Sequence, residues 1–313
     1  MTLFVSSVVL GLAWFAAINI AISAGVWLIV RVLHVRGVEP RAGLWLTLRL
    51  LPAAASTLFV IAIFLPVHWR YERPGTPETF GYVLYGLAGL ALALFLRAAW
   101  RVTVAIRANR QLRIWRAAPS VSVVAGAVEL EGFAVLALAG LFRPTILVGR
   151  LVREALTDDE LDVALAHELA HRSAFDNIKR LAIYCAPDVF TCSATCERLE
   201  SEWRDRAECD ADARAARGDA ARAVTLASAL VKVARLSVSS ARIVSAPTWT
   251  AFYQEPLIEM RVRRLVAGCA TAGASRAPAV AAGSLLALCC VIWLAAVPQV
   301  IYRTTEALAR LLP

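Results

Sequence analysis

The sequence predicts a multi-pass α-helical membrane protein with a mainly α-helical domain that includes a small β-hairpin or sheet. Three observations predict it. The 313-residue chain is 59% hydrophobic, above the usual range for a soluble domain. The excess is gathered into four charge-free blocks: Leu3–Val30, Leu50–Trp69, Thr79–Leu96 and Ala277–Tyr302. Between the third and fourth blocks, short β-type runs give way to capped, amphipathic and charged helical patterns.

A spanning helix needs roughly 20 mainly apolar residues, so the four blocks are expected to be membrane helices, the third being the shortest. The domain plan is three spans within residues 1–100, at about 3–30, 50–69 and 79–96. A domain follows over 101–276, then a fourth span at 277–302 and a short tail at 303–313. Pro52 and Pro66 fall near the ends of the second block, where a missing N–H is tolerated. The first block lacks the basic n-region of a signal peptide, and its apolar run is too long for one.

Arginine placement sets the expected orientation. With the N-terminus outside, the inner segments carry fourteen arginines near the spans, among them Arg31, Arg49, Arg97, Arg116 and Arg276. The outer ones carry four: Arg70, Arg73, Arg303 and Arg310. Residues 97–276 are therefore expected in the cytoplasm. The net charge of +9 has this origin, and no direct nucleic-acid binding is expected. Seven cysteines show no secretory spacing. Cys192 and Cys196 lack the second pair that a thiolate metal site would need.

Residues 101–116 space arginines three and four apart, as either a basic amphipathic helix on the headgroups or a helix continuing the third span. Residues 120–149 hold short β-type runs broken by Gly126, Gly132, Gly140 and Pro144. The stretch Phe133 to Leu141 is either an exposed edge able to take an extended substrate by strand addition or an ordinary buried hairpin. A helix then opens at Thr157, with Glu160 completing a capping box and Asp158 and Asp159 suiting its positive end. Leu161, Leu165 and Leu169 supply its expected apolar stripe. Further helices are expected over "NIKRLAIY", over the charged run ending near Gly218, over 220–238 and over "EPLIEMRVRRLVAG".

The first of these helices contains "HELAH", residues 167–171, in a chain with 4 histidines. Four helical residues turn by about 400°, so His167 and His171 project within about 40° of each other and can reach one ion. Glu168 is offset by about 100° and falls beside the ion, as the general base of a zinc metallopeptidase would. Catalytic zinc usually takes a third protein ligand. His34 and His68 border the spans, so the third ligand is expected to be a carboxylate. Glu208 in "AECDAD" is the choice, because Asp212 one turn later can accept an N–H from a ligand histidine. Glu197, Glu200 and Glu202 lack an acidic partner at that spacing. Tyr184, Arg206 and Tyr253 are open candidates for stabilising an oxyanion.

These motifs resemble those of the membrane-integral gluzincin metallopeptidases of the BlaR/MecR type. The likeness is carried by "GLFRPTILVG" (140–149), "LTDDELDVALAHELAHRSAFD" (156–176), "ESEWRDRAECDAD" (200–212) and "EMRVRRL" (259–265). It implies a gluzincin-type zinc metallopeptidase domain with one Zn²⁺ per chain held by His167, His171 and Glu208. It also implies Glu168 as base, and Asp176 and Asp212 as supporting acids. It implies a bacterial inner-membrane endopeptidase that cleaves a cytoplasmic or membrane-adjacent protein, such as a transcriptional repressor, in signalling. Family members that bind β-lactams carry an extracellular sensor domain after the fourth span. Only eleven residues follow Tyr302 here, so input is expected through the loop near 70–79, the spans or a sensor partner. Two alternatives remain: a quality-control protease of the HtpX kind, and a non-enzymatic membrane scaffold with a retained metal site. An intramembrane protease is disfavoured, because Asp158, Asp159, Asp162 and Arg172 flank the motif.

Overall fold

The computed structural model describes residues 3–38, 40–71, 81–116, 123–124, 127–130, 135–189, 193–239, 249–251 and 258–268. The expected fourth span at 277–302 and the tail at 303–313 lie outside them, as do the loop at 72–80, Cys192 and Tyr253. The chain divides into two compact units. Among the described residues, those up to Trp100, together with those of Cys185–Glu200, belong to one; those of Arg101–Tyr184 and those from Ser201 onwards belong to the other.

In the first unit, α1 (Leu3–Val35) packs on α2 (Ala42–Phe59), which runs through a π-helical stretch, Val60–Phe64, into α3 (Leu65–Tyr71). The next helix, α4 (Tyr82–Arg116), starts in this unit. Among the described residues, three stretches are long and apolar enough to cross a membrane: Phe4–Val35, Ala42–Arg70 and Tyr82–Arg110. They outrun the charge-free blocks because a helix does not stop where charge begins; α4 continues unbroken through the arginine-spaced segment. Arg49 is not a solvated flank. It is 2% exposed, it is paired with Asp188, and its Nε donates to Glu200 at 2.9 Å. Asn19 holds the same segment, donating to the Pro187 carbonyl at 3.2 Å and accepting from Val189 N–H at 3.1 Å. A buried guanidinium survives among apolar helices only with its charge and donors satisfied.

The second unit contains a sheet of five strands: β1 (Val123–Val124), β2 (Ala127–Leu130), β3 (Leu136–Ala139), β4 (Thr145–Gly149) and β5 (Trp249–Ala251). Their order is β1-β2-β4-β3-β5, with β2 parallel to β4 and β3 antiparallel to both of its neighbours. The exposed-edge expectation for Phe133–Leu141 is corrected here. β3 is an interior strand, because Leu138 pairs with Ile146 on one side and with Thr250 on the other. The covering strand comes from about 110 residues downstream, a distance at which local pattern carries no information.

After β4, a short helix, α5 (Arg150–Ala155), leads to α6 (Asp158–Ser173). The Thr157 hydroxyl accepts from Glu160 N–H at 3.3 Å, and Thr157 N–H donates to Glu160 Oε2 at 2.9 Å, closing the capping box. Glu160 is itself buried, with Ser228 Oγ and Lys232 Nζ each donating to it at 2.7 Å. α7 (Asp176–Cys185), α8 (Ala194–Ala216), α9 (Ala220–Ser239) and α10 (Ile258–Val266) follow. α6 packs against α9 on one side and β3 and β4 on another, and α10 packs against α9. The core joins Leu136, Leu138, Val163, Leu226, Leu230 and Leu265.

The expected leucine stripe on α6 is not its most buried face. Leu161 and Leu165 are partly buried, and Leu169 is 48% exposed. The buried set is instead Glu160, Val163, Ala164, His167, Glu168, Ala170 and His171. All but Ala170 follow the i, i+3, i+4, i+7 spacing of a single helix face. The small side chain of Ala164 lets neighbouring elements close on this face, and Glu160, His167 and His171 find polar partners inside.

Candidate metal centre

His167, Glu168, His171 and Glu208 are each 0–1% exposed. α6 supplies the first three and α8 the fourth. One ligand atom from each of His167, His171 and Glu208 lies within 4.8 Å of the others. The two Nε2 atoms are 3.1 Å apart. His167 Nε2 is 3.5 Å from Glu208 Oε2, and His171 Nε2 is 3.6 Å from Glu208 Oε1. Ligand atoms at about 2.0–2.1 Å from a tetrahedral ion stand about 3.3 Å apart. The spacing therefore fits one small cation held by two imidazoles and a carboxylate.

The outward nitrogens are fixed as such a site requires. His171 Nδ1 donates to Asp176 Oδ2 at 2.8 Å, and His167 Nδ1 lies 2.9 Å from Asp212 Oδ1. Both rings thus turn Nε2 towards the shared centre. Asp176 is placed by the start of α7. Its neighbour Asn177 donates to the carbonyls of Leu138 and Gly140, at 3.1 and 2.8 Å, tying that helix end to β3. The turn between α6 and α7 passes through Phe175, whose φ of 57° lies in the left-handed region. Asp212 follows Glu208 by one turn of α8, so one helix face presents both carboxylates.

One residue of the centre escaped the sequence reading. Arg261 on α10 is 1% exposed. Its Nε and a terminal nitrogen donate to Asp212 at 2.8 and 2.6 Å, and its other terminal nitrogen lies 3.1 Å from Glu208 Oε2. The guanidinium braces the carboxylate that orients His167 and also touches the carboxylate ligand. A faint signal existed: Arg261 and Leu265, four apart, share the buried face of α10. Arg180 lies 3.5 Å from Glu208 Oε1 and its guanidinium stands over the Trp203 ring. Of the residues considered for an oxyanion, Tyr184 gives its carbonyl and ring to Arg101. Glu200, a rejected ligand, is engaged by Arg49.

Charge is concentrated here. Burial pushes the Glu168 carboxyl up to about 7, against the pull of the nearby imidazoles. Both of its oxygens are buried and make no hydrogen bond among the described residues. Burial would also raise Glu208, but His171 and Arg261 override it and hold Glu208 well below the ordinary carboxylate value. Asp212 and Asp176 are likewise lowered, by Arg261 and His171 respectively, in spite of burial. Burial would lower His171, but Glu208 and Asp176 raise it to about 10.

These directions give an expected pH dependence for the cation-free protein. His171 is raised, so its stabilisation is complete below about 6.5 and is lost as pH climbs towards 10. Glu168 has the same sign, with its contribution lost between about 4.5 and 7. Glu208, Asp176 and Asp212 act oppositely and lose theirs only in acid. Chelator-treated protein should therefore melt at progressively lower temperature from pH 6.5 to 9. Added divalent metal should remove that slope, because the imidazole must shed its proton to bind. A flat profile without metal would contradict this electrostatic picture.

No family model matches the chain, and neither a curated protein nor a solved structure matches it.

Proposed function

We propose that the protein is a zinc-dependent endopeptidase anchored in a membrane. Glu168 carries this reading. It is a fully buried carboxylate without a hydrogen bond of its own among the described residues, beside two imidazoles and a third ligand spaced for one ion. Burying such a group is costly, and a scaffold that merely stored a cation would gain nothing from it. Two imidazoles with one carboxylate suit zinc better than the all-oxygen cations magnesium and calcium.

A bound zinc ion supplies Lewis acidity, which polarises a carbonyl and acidifies water. His167, His171 and Glu208 would hold it, with Asp212 and Asp176 engaging the outward Nδ1 atoms so that both Nε2 atoms face the ion. Glu168, poised near neutrality, accepts a proton from water as it adds to a peptide carbonyl and returns it to the departing amine. Arg261 keeps Asp212 ionised and in place.

Three membrane-length helices support an anchored enzyme. The arginine distribution supports an outside N-terminus and a cytoplasmic metal domain. The motif likeness to BlaR/MecR-type enzymes supports a cytoplasmic or membrane-adjacent protein substrate and a role in regulated signalling.

The test is cleavage of an unstructured protein such as casein by the full chain in nanodiscs. Fragments should appear with zinc and vanish with a chelator. A fully zinc-loaded chain that cuts neither casein nor itself would overturn the endopeptidase reading.

A further inference from the structure

Next to the metal centre lies a cavity of about 920 Å³ whose lining includes His171 and Asp176, the bonded pair that aims one ligand nitrogen. Its inner wall is apolar, with Leu138 and Ile146 from the paired strands β3 and β4. Its mouth is formed by two turns, one between β3 and β4 and the other between α6 and α7. Each turn presents an aromatic ring to solvent: Phe142 is 88% exposed and Phe175 66%. Leu169 stands beside them at 48%. Large apolar groups gathered at the mouth of a cavity mark a binding surface.

The charge at this mouth has one sign. Arg143 and Arg172 line it and are exposed. The acidic lining residue, Asp176, is buried and engaged by His171 at 2.8 Å and Lys179 at 2.9 Å. An occupant therefore meets cationic groups outside and apolar ones within. A flat lipid surface would satisfy the exposed rings and arginines but not a concave space whose lining includes Leu138, Ile146 and His171. A polypeptide in extended form satisfies both, with alternate side chains entering the cavity and reaching the rim.

We propose that this cavity is the specificity site for the protein substrate. It takes an extended segment carrying a bulky apolar residue flanked by carboxylate side chains. Phe142 and Phe175 grip the apolar residue, and Arg172 and Arg143 select the negative charge. The proposal rests on the endopeptidase reading and names the substrate class.

The test separates binding from cleavage. Zinc-loaded Glu168→Gln chain in nanodiscs is titrated into fluorescein-labelled peptides and followed by anisotropy. One peptide has a central Leu-Phe between aspartates; a second replaces Leu-Phe by serines; a third replaces the aspartates by lysines. The first should bind at least about tenfold more tightly than either control, since each lost pocket contact is worth about a factor of ten or more. The double variant Phe142→Ser with Phe175→Ser, which alters only exposed rings, should erase the first difference. Arg172→Glu should narrow or reverse the second. Equal binding of all three peptides by a chain holding its zinc would overturn the proposal and leave the enzyme reading intact. Selective binding by a chain that takes up no zinc would keep the peptide site and remove the enzyme reading. A trifluoromethyl-phenylalanine at position 142 offers a further check. A ¹⁹F signal broadened by spin-labelled lipid yet unmoved by peptide would put the rim in the bilayer and overturn the proposal.

Discussion

Purified wild-type chain is expected to hold about one zinc ion per molecule, and Glu208→Ala fewer than about one in ten. His167→Ala and His171→Ala should fall with it. The reasoning is geometric: three ligand atoms lie within 4.8 Å of one another, and removing any one leaves two protein ligands for an ion that usually takes three. Asp212→Asn should retain the ligands yet bind zinc about 10–100-fold more weakly, the usual cost of losing the group that orients a ligand histidine. Elemental analysis after dialysis against a weak chelator measures both effects. Full occupancy in Glu208→Ala, with loss in Glu200→Ala or Glu202→Ala, would move the third ligand elsewhere. That outcome would conflict with the pairing of Glu200 to Arg49.

Glu168→Gln separates the centre's two properties. Peptide cleavage should fall by about 10²–10⁴-fold, the range for a lost general base, while zinc content stays near wild type because Glu168 is not a ligand. Stability should move the other way. Glutamine of nearly the same shape replaces a buried carboxylate whose oxygens make no hydrogen bond among the described residues. Metal-free Glu168→Gln should therefore melt above metal-free wild type at pH 8, where the native carboxylate is ionised against its surroundings. Calorimetry and casein cleavage on the same preparation check the pair of signs. Retained activity would remove Glu168 from the chemistry. A lower melting temperature would mean that the carboxylate is satisfied by groups not recognised above.

How much of this the sequence carried depended on how local each feature is. The capping box at Thr157 and the one-turn spacing of His167 and His171 are set by helix geometry, and they were legible. The Glu208–Asp212 pair was legible for the same reason. The lining of that helix was not. A leucine repeat reads as core by hydrophobicity, yet the face actually enclosed carries Glu160, His167, Glu168 and His171. Enclosure there is stabilised by partners from other elements, such as Ser228 and Lys232 for Glu160. Arg261 was missed because its role depends on α10 meeting a carboxylate 49 residues away in sequence. The strand covering β3 was missed in the same way. For the first three apolar blocks, the absence of charge located helices long enough to cross a membrane, but Arg49 was counted as a flank when Asp188 and Glu200 enclose it.

Phe175 has a bearing on what shaped the chain. A left-handed residue other than glycine costs roughly 1–2 kcal/mol in backbone energy, and a phenyl ring 66% exposed recovers little of it through packing. Folding alone would favour glycine at this turn. The ring thus adds little to the stability of the turn that bears it, and the proposed peptide site is what would give it a use.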